Sequence, residues 1–297
     1  MRNEKTSSKR RTKLIADIVT YIGLAIYFLI LVLPFIIIII TSFASDYEIS
    51  HSIGFVWAPK FSTEGYEVLF KNDPYAVGGV PSILRGFLNT LWMTTIPTVV
   101  GLLVSGAAAY VYAKVKVPGK NILFMIEIAT MSIPLGAFGM VSYLFYSAIG
   151  WQKSILPLFI PGMFGSAGTI FFLRMYFEGI NKEIVEAAKI DGVGTIGIYF
   201  RMMIPLSIPA FLAQFIFAFV GGYNDYQGPL LYLVGNKSMW TLQLSMSQIV
   251  SFVGSEGGYK NVQCASALVG LLPMLLLYCF VQKFFIAGIA VGGGKRR

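Results

Sequence analysis

Six apolar runs, each long enough to cross a bilayer, limit this chain more than anything else in it. They lie at about 15–43, 86–113, 121–147, 155–177, 206–233 and 261–287. A helix needs roughly 20 residues to span the hydrocarbon layer. Of the 297 residues 56% are hydrophobic and 12% charged, whereas a soluble domain is about 45–50% apolar and about 25% charged. The expected fold class is therefore an all-α polytopic membrane protein with six transmembrane helices and one domain. Pro97, Pro134, Pro157, Pro161 and Pro273 fall inside the runs. Spans tolerate proline because neighbouring helices satisfy the freed backbone groups.

The first run follows Arg2, Lys5, Lys9, Arg10, Arg11 and Lys13. It is longer than the ~7–15 apolar residues of a secretory leader, so it reads as a retained span. An even number of spans places both termini on one side. With the N-terminus inside, 17 lysines and arginines fall on inner segments and 6 on outer ones. The positive-inside rule then predicts a multi-pass plasma or inner membrane protein with cytoplasmic termini. The predicted organisation is a basic N-terminus over 1–14, a membrane domain over 15–287 and a cytoplasmic tail over 288–297. This asymmetry accounts for the net charge of +9 without a nucleic-acid partner, and no basic cluster is interleaved with aromatics as a base-stacking surface would be.

Cys264 and Cys279 lie in one run. On one helix they would be about 22 Å apart, beyond the ~7 Å reach of a disulfide. With His51 as the one histidine, no metal site is expected. Gly192-Val193-Gly194-Thr195-Ile196-Gly197 matches a dinucleotide fingerprint in letters only, because a helix rather than a strand precedes it. Neither Gly119-Lys120 nor Gly294-Lys295 completes a phosphate-cradling loop, so ATP hydrolysis by this chain is not expected.

The longest inner segment between runs is 178–205. Asn181 suits a helix N-cap and Glu183 the first turn. Ile180, Ile184, Ala187 and Ala188 share one helical face, while Lys182, Glu186 and Lys189 share another at ion-pairing spacing. Asp191-Gly192 reads as the stop, and a second short helix over about 195–203 runs into Pro205. Small apolar residues let a partner surface approach closely, and an amphipathic helix can seat in a partner's groove. Spacing alone leaves a second reading open, in which this helix simply joins spans four and five.

Glu186, Ala187, Ala188, Asp191, Gly192 and Pro205 together form the E-A-A-x-x-D-G motif with its spaced proline. On these residues the chain resembles the permease subunits of ATP-binding-cassette importers, and among them the carbohydrate-uptake, maltose-permease-like family. Further matches are Asn89-Thr90, Ala108-Ala109-Tyr110, Ile133-Pro134, Asn224-Asp225, Pro229-Leu230-Leu231 and the tail from Gly288 to Lys295. The chain departs from that pattern in having Asn181 for proline, Tyr223 for tryptophan and Gly293-Gly294 for bulkier residues. The resemblance implies the fold of a type I importer permease and a transport role rather than an enzymatic one. It also implies a second permease subunit, two ATPase subunits carrying ATP and Mg, and an extracellular solute-binding protein that delivers a sugar. No cofactor is expected on this chain itself. In that scheme the loop helix seats on an ATPase: Glu186 and Asp191 hold its shape, Ala187 and Ala188 permit close docking, and Gly192 turns the chain.

Polar groups inside spans are functional candidates by default. For a sugar path these are Gln214, Tyr223, Asn224, Asp225, Tyr226, Gln227, Tyr143 and Tyr146; each also fits a bond between helices or an interfacial aromatic belt. Trp240 and the stripe Leu242, Leu244, Met246 in the 234–260 loop are the expected contact with the binding protein. Glu127 reads as a structural pair with a basic residue. Alternatives left open are an importer permease for a non-sugar solute, an ion-coupled secondary transporter and a membrane scaffold.

Overall fold

The computed structural model describes residues 2–52, 56–57, 59–255 and 259–293. The tail positions 294–297 and parts of both long loops, 53–55, 58 and 256–258, lie outside the described residues. Those described form helices joined by turns, with one isolated bridge between Val77 and Val80.

Among the described residues four helices are long and apolar enough to cross a membrane: Lys13–Ser42, Ser82–Lys114, Leu156–Glu178 and Lys260–Cys279. A fifth candidate is the pair Thr195–Leu206 and Ile208–Tyr223, bent by 80° at Ser207. The third run, expected as one of six spans, is not a single continuous helix. That run divides into Lys120–Thr130, a 3-10 turn at Leu135–Phe138 and Gly139–Ala148. Pro134 precedes the turn; it has no N–H to continue the helical ladder and restricts the residue before it. The fifth run is also interrupted. Its helix ends at Tyr223, and a new one, Gln227–Leu233, begins after Asn224-Asp225-Tyr226.

The chain divides into two compact units. In Met1–Asn72 with Val250–Leu271, polar contacts fix the loop after the first helix. Ser42 Oγ lies 3.0 Å from Tyr66 Oη, Asn261 Nδ2 donates to Ala44 O at 3.2 Å, and Tyr259 N donates to Asp46 Oδ1 at 2.7 Å. Gly65 makes this approach possible, since a Cβ there would lie 2.9 Å from Asn261 O. The loop is thus built onto the start of the last helix.

The second unit, Asp73–Ile249 with Leu272–Arg297, is organised on the helix Ser82–Lys114. Its buried face is small and polar: Gly86, Asn89, Thr90, Thr94, Gly101, Ser105, Gly106 and Ala109. In lipid, helices associate through such residues because apolar burial alone gives no preference for protein over lipid. Towards Ser82, Asn89 Nδ2 donates to Ser238 O at 2.9 Å and Trp240 O at 3.0 Å, and Leu242 N donates to Thr90 Oγ1 at 2.8 Å. Towards Lys114, a core forms from Ala109, Tyr110, Phe177, Val185, Ala188, Ile198, Tyr199 and Met203.

The helix Leu242–Ser255 lies in the loop read as linker or docking surface. Trp240, Leu242, Leu244 and Met246 are each at most 8% exposed. Trp240 and Leu244 pack with Tyr232 and Leu233, and the Trp240 indole N–H donates to Leu233 O at 3.0 Å. The expected binding-protein contact through these four side chains is therefore corrected. The apolar stripe points into the chain's own core, because the pairs at Asn89 and Thr90 rotate it that way.

Candidate functional site

Two features stand out in the second unit: the hairpin after Glu178, and a cavity at the broken spans.

The hairpin's first helix is Lys182–Ile190. Asn181 Oδ1 accepts from Glu183 N at 3.1 Å, which satisfies one of the orphan donors of the first turn. The helix closes with a Schellman motif: Val193 N donates to Ala188 O at 2.9 Å and Gly192 N to Lys189 O at 3.1 Å. That motif needs a left-handed residue, and Gly192 supplies it at φ 79°.

The apolar face expected to dock is divided by the structure. Val185 and Ala188 are each 4% exposed and belong to the chain's own core. Ile180 also packs against that core. Ala187 and Ile184 are exposed, and Ile190 is 86% exposed. Ala188 thus allows close packing inward, a correction to its reading as a docking residue. Glu186 and Asp191 are exposed, and their side chains make no hydrogen bond or ion pair among the described residues. The expected charge pairs of Glu186 with Lys182 and Lys189 are not formed, and the two carboxylates stand unused beside Ile190.

The second helix, Thr195–Leu206, contains a π turn over Tyr199–Met203, in which Ile204 N reaches back to Tyr199 O. Pro205 follows directly and offers no N–H to the ladder, so the helix widens before it and then turns at Ser207. Tyr199 Oη donates to Leu103 O of the 82–114 helix at 2.6 Å. Gly106 leaves the space: a Cβ there would lie 2.5 Å from Tyr199 Oη and 2.6 Å from Phe211 Cζ. Lys114 Nζ donates to Ile180 O at 2.6 Å and Glu178 O at 3.4 Å, neutralising the carbonyl end of Ala167–Glu178. These two anchors were not singled out in the sequence. The signal for Lys114 was its place as the first base after an apolar run.

Arg174 Nε bonds Glu178 Oε1 at 2.9 Å while its guanidinium covers Phe124 at 3.8 Å. Glu127 makes no ion pair among the described residues, so its expected basic partner is not found there.

The cavity holds about 290 Å³ between Ser82–Lys114, the break at 161–166 and Ile208–Tyr223. Thr94, Thr98 and Ser105 line one wall, and Ser166 and Thr169 a second. Asp225 and Thr241 complete the polar lining. Glycines bring the walls together: a Cβ on Gly101 would lie 2.4 Å from Gly162 O, and one on Gly222 2.6 Å from Thr94 Cγ2. The hydroxyls are linked. Ser166 N donates to Ser105 Oγ at 3.2 Å, Ser166 Oγ to Thr169 Oγ1 at 2.9 Å, and Thr169 Oγ1 to Gln214 Oε1 at 3.2 Å.

Of the path residues read from sequence, Asp225 lines the cavity and Gln214 joins it through Thr169. Asp225 Oδ1 also accepts Gly228 N at 3.1 Å, capping Gln227–Leu233. Tyr223 is 1% exposed and stacks on Phe219. Asn224 Nδ2 donates to Val220 O at 2.9 Å. Tyr226 packs against the Trp240 cluster with Tyr143 and Tyr146, which meet Tyr232. Gln227 is exposed. The hydroxyl wall was missed. Its signal was the series Thr94, Thr98, Gly101, Ser105, small or polar at one-face spacing in an apolar run.

Residues 101–288 match the family model described as binding-protein-dependent transport system inner membrane component. The chain is 30% identical over 292 residues to the polygalacturonan/rhamnogalacturonan transport system permease protein YtcP of Bacillus subtilis, covering 94% of this chain and 98% of that one. It is 30% identical over 232 residues to the arabinooligosaccharides transport system permease protein AraQ of the same organism, covering 76% and 79%. The fold is shared with a bacterial ABC transporter involved in the import of the acidic polysaccharide alginate, with a TM-score of 0.78, 23% identity and coverage of 93% and 98%.

Proposed function

The chain belongs to the binding-protein-dependent transport system inner membrane component family, and from that premise we propose that it is the membrane subunit of an ATP-driven importer for a sugar or oligosaccharide. It is a multi-pass membrane protein and a permease rather than an enzyme. In this reading six segments cross the bilayer, with the interrupted third run as one of them, and both termini are cytoplasmic, as the lysine and arginine asymmetry favours. A second permease subunit completes the path, two ATPase subunits bind ATP and Mg, and an external binding protein delivers cargo. A carbohydrate cargo is supported by the named cargoes of YtcP and AraQ.

The observation that carries the coupling role is the divided helix Lys182–Ile190. One side is built into the chain's own core through Val185 and Ala188, while the other presents Ala187, Ile190 and two unused carboxylates. An isoleucine at this exposure beside small residues suits a partner's groove. A push on the hairpin is delivered to Ser82–Lys114 through Tyr199 and Lys114.

The test is uptake by the reconstituted complex of both permeases, the ATPase and the binding protein. Sugar accumulation that needs internal ATP and survives collapse of the proton gradient is the expected result. Accumulation driven by an ion gradient without ATP would overturn the reading. A non-sugar solute as sole cargo would overturn its substrate part.

A further inference from the structure

The relatives' named cargoes include both a uronate-bearing polymer and an arabinooligosaccharide, so kinship leaves the charge of the cargo open. The cavity does not. Its polar lining comprises six hydroxyl side chains and one carboxylate, with no lysine, arginine or histidine. Thr241 is 6% exposed, and its Oγ1 has no hydrogen-bond partner among the described residues. A buried hydroxyl left so is costly unless something enters to bond it. Asp225 spends Oδ1 on Gly228 N, and Oδ2 makes no hydrogen bond among the described residues. The cavity therefore offers hydroxyl donors and acceptors and one free carboxylate oxygen, which together match a sugar's hydroxyls.

The helix Ala167–Glu178 begins at this wall, and a helix N-terminus carries about half a positive charge. One of its first-turn donors is engaged internally, Thr169 N bonding Ser166 Oγ at 3.2 Å, and the N–H of the cap residue Ser166 bonds Ser105 Oγ. Asp225 is the acidic side chain of the lining, and the whole charge of a carboxylate exceeds the half charge of a helix end. Within a low-dielectric membrane domain, two like charges repel far more strongly than in water.

Building on the sugar reading above, we infer that this cavity admits uncharged sugar units and excludes uronates and phosphorylated sugars, with Asp225 as the residue that sets the exclusion.

The test reads the cavity's charge without assuming a cargo. In the assembled complex, with Cys264 and Cys279 replaced by alanine, Thr98→Cys is labelled by a cationic (trimethylammonium) and an anionic (sulfonate) methanethiosulfonate. After normalisation to a free thiol, the cationic reagent should react at least tenfold faster. Asp225→Asn keeps the Oδ1 cap on Gly228 and removes the charge, and should bring the ratio close to one. Equal rates in the unaltered cavity, faster anionic labelling or no labelling at Thr98→Cys would each overturn the inference. A parallel uptake assay compares arabinotriose with trigalacturonate. Import of trigalacturonate at a rate equal to or above that of arabinotriose would also overturn it. A cationic bias with neither sugar imported would leave the charge filter standing and remove the sugar reading beneath it.

Discussion

Tyr199 Oη donates to the main-chain carbonyl of Leu103 at 2.6 Å, from a π turn in the hairpin to the middle of the 82–114 helix. The contact ties the segment after the helix Lys182–Ile190 to a helix that lines the cavity, and Gly106 gives it room. Tyr199→Phe removes one hydrogen bond of about 0.5–1.5 kcal/mol. It should lower Tm by a few degrees but reduce ATP-coupled uptake severalfold, with the four-subunit complex still assembling. Gly106→Val should be harsher, because its Cβ would overlap both Tyr199 and Phe211. Equal uptake per complex in Tyr199→Phe and the unaltered protein would show that the bond only stabilises.

Ala187 and Ala188 are adjacent in sequence and opposite in environment, which separates docking from folding. Ala187→Glu alters an exposed position and should leave Tm of the isolated permease within about 0.5 kcal/mol equivalent of the original, while abolishing stimulation of the ATPase. Ala188→Glu would bury a carboxylate in a core position 4% exposed and should prevent stable expression altogether. Thermal unfolding in detergent and ATPase assays on the complex measure the two effects. If Ala187→Glu retained full stimulation, the outward face would not be the docking face.

Much of this was legible from the residues alone. The bilayer-length runs, the Asn181 cap and the stop at Gly192 all follow from local rules, because caps, stops and span lengths depend on near neighbours in sequence. The errors concern direction. A helix of nine residues with apolar groups at 184, 185, 187, 188 and 190 has no periodicity that says which part faces home, so the sequence alone gives no reason to turn Ala188 inward. The stripe at Leu242, Leu244 and Met246 was assigned outward for the same reason; its inward rotation is fixed by Asn89 and Thr90, some 150 residues earlier. The cavity wall escaped notice because threonine and serine in a span read equally well as packing residues, until the glycines of the facing break are placed against them.

Trp240 tests the corrected assignment of the long loop. The side chain is 2% exposed, its ring lies tilted against Tyr75 with centroids 4.9 Å apart, and it donates its indole N–H to Leu233 O. Trp240→Ala should cost about 3–5 kcal/mol of stability, as truncation of a buried aromatic does. Trp240→Phe should recover most of it, less the hydrogen bond. A surface contact for a binding protein would behave otherwise: Tm would be unchanged and affinity for the binding protein lost. Scanning fluorimetry together with a pull-down of the binding protein distinguishes the two.

Lys114 closes the argument on how the hairpin is held. Its ammonium bonds the carbonyls of Ile180 and Glu178, groups that a helix C-terminus otherwise leaves without partners. Charge-assisted bonds of this kind contribute about 1.5–3 kcal/mol, and the lysine stem is long enough to reach them from the end of Ser82–Lys114. Lys114→Met keeps the stem and deletes the charge, so packing is conserved while the hairpin is released. The expected outcome is a permease that inserts and binds the ATPase but turns over ATP with weak dependence on cargo-loaded binding protein. Lys114→Arg should restore most of the coupling, since a guanidinium can reach the same two carbonyls. Tight cargo dependence in Lys114→Met would mean that Tyr199 alone carries the connection.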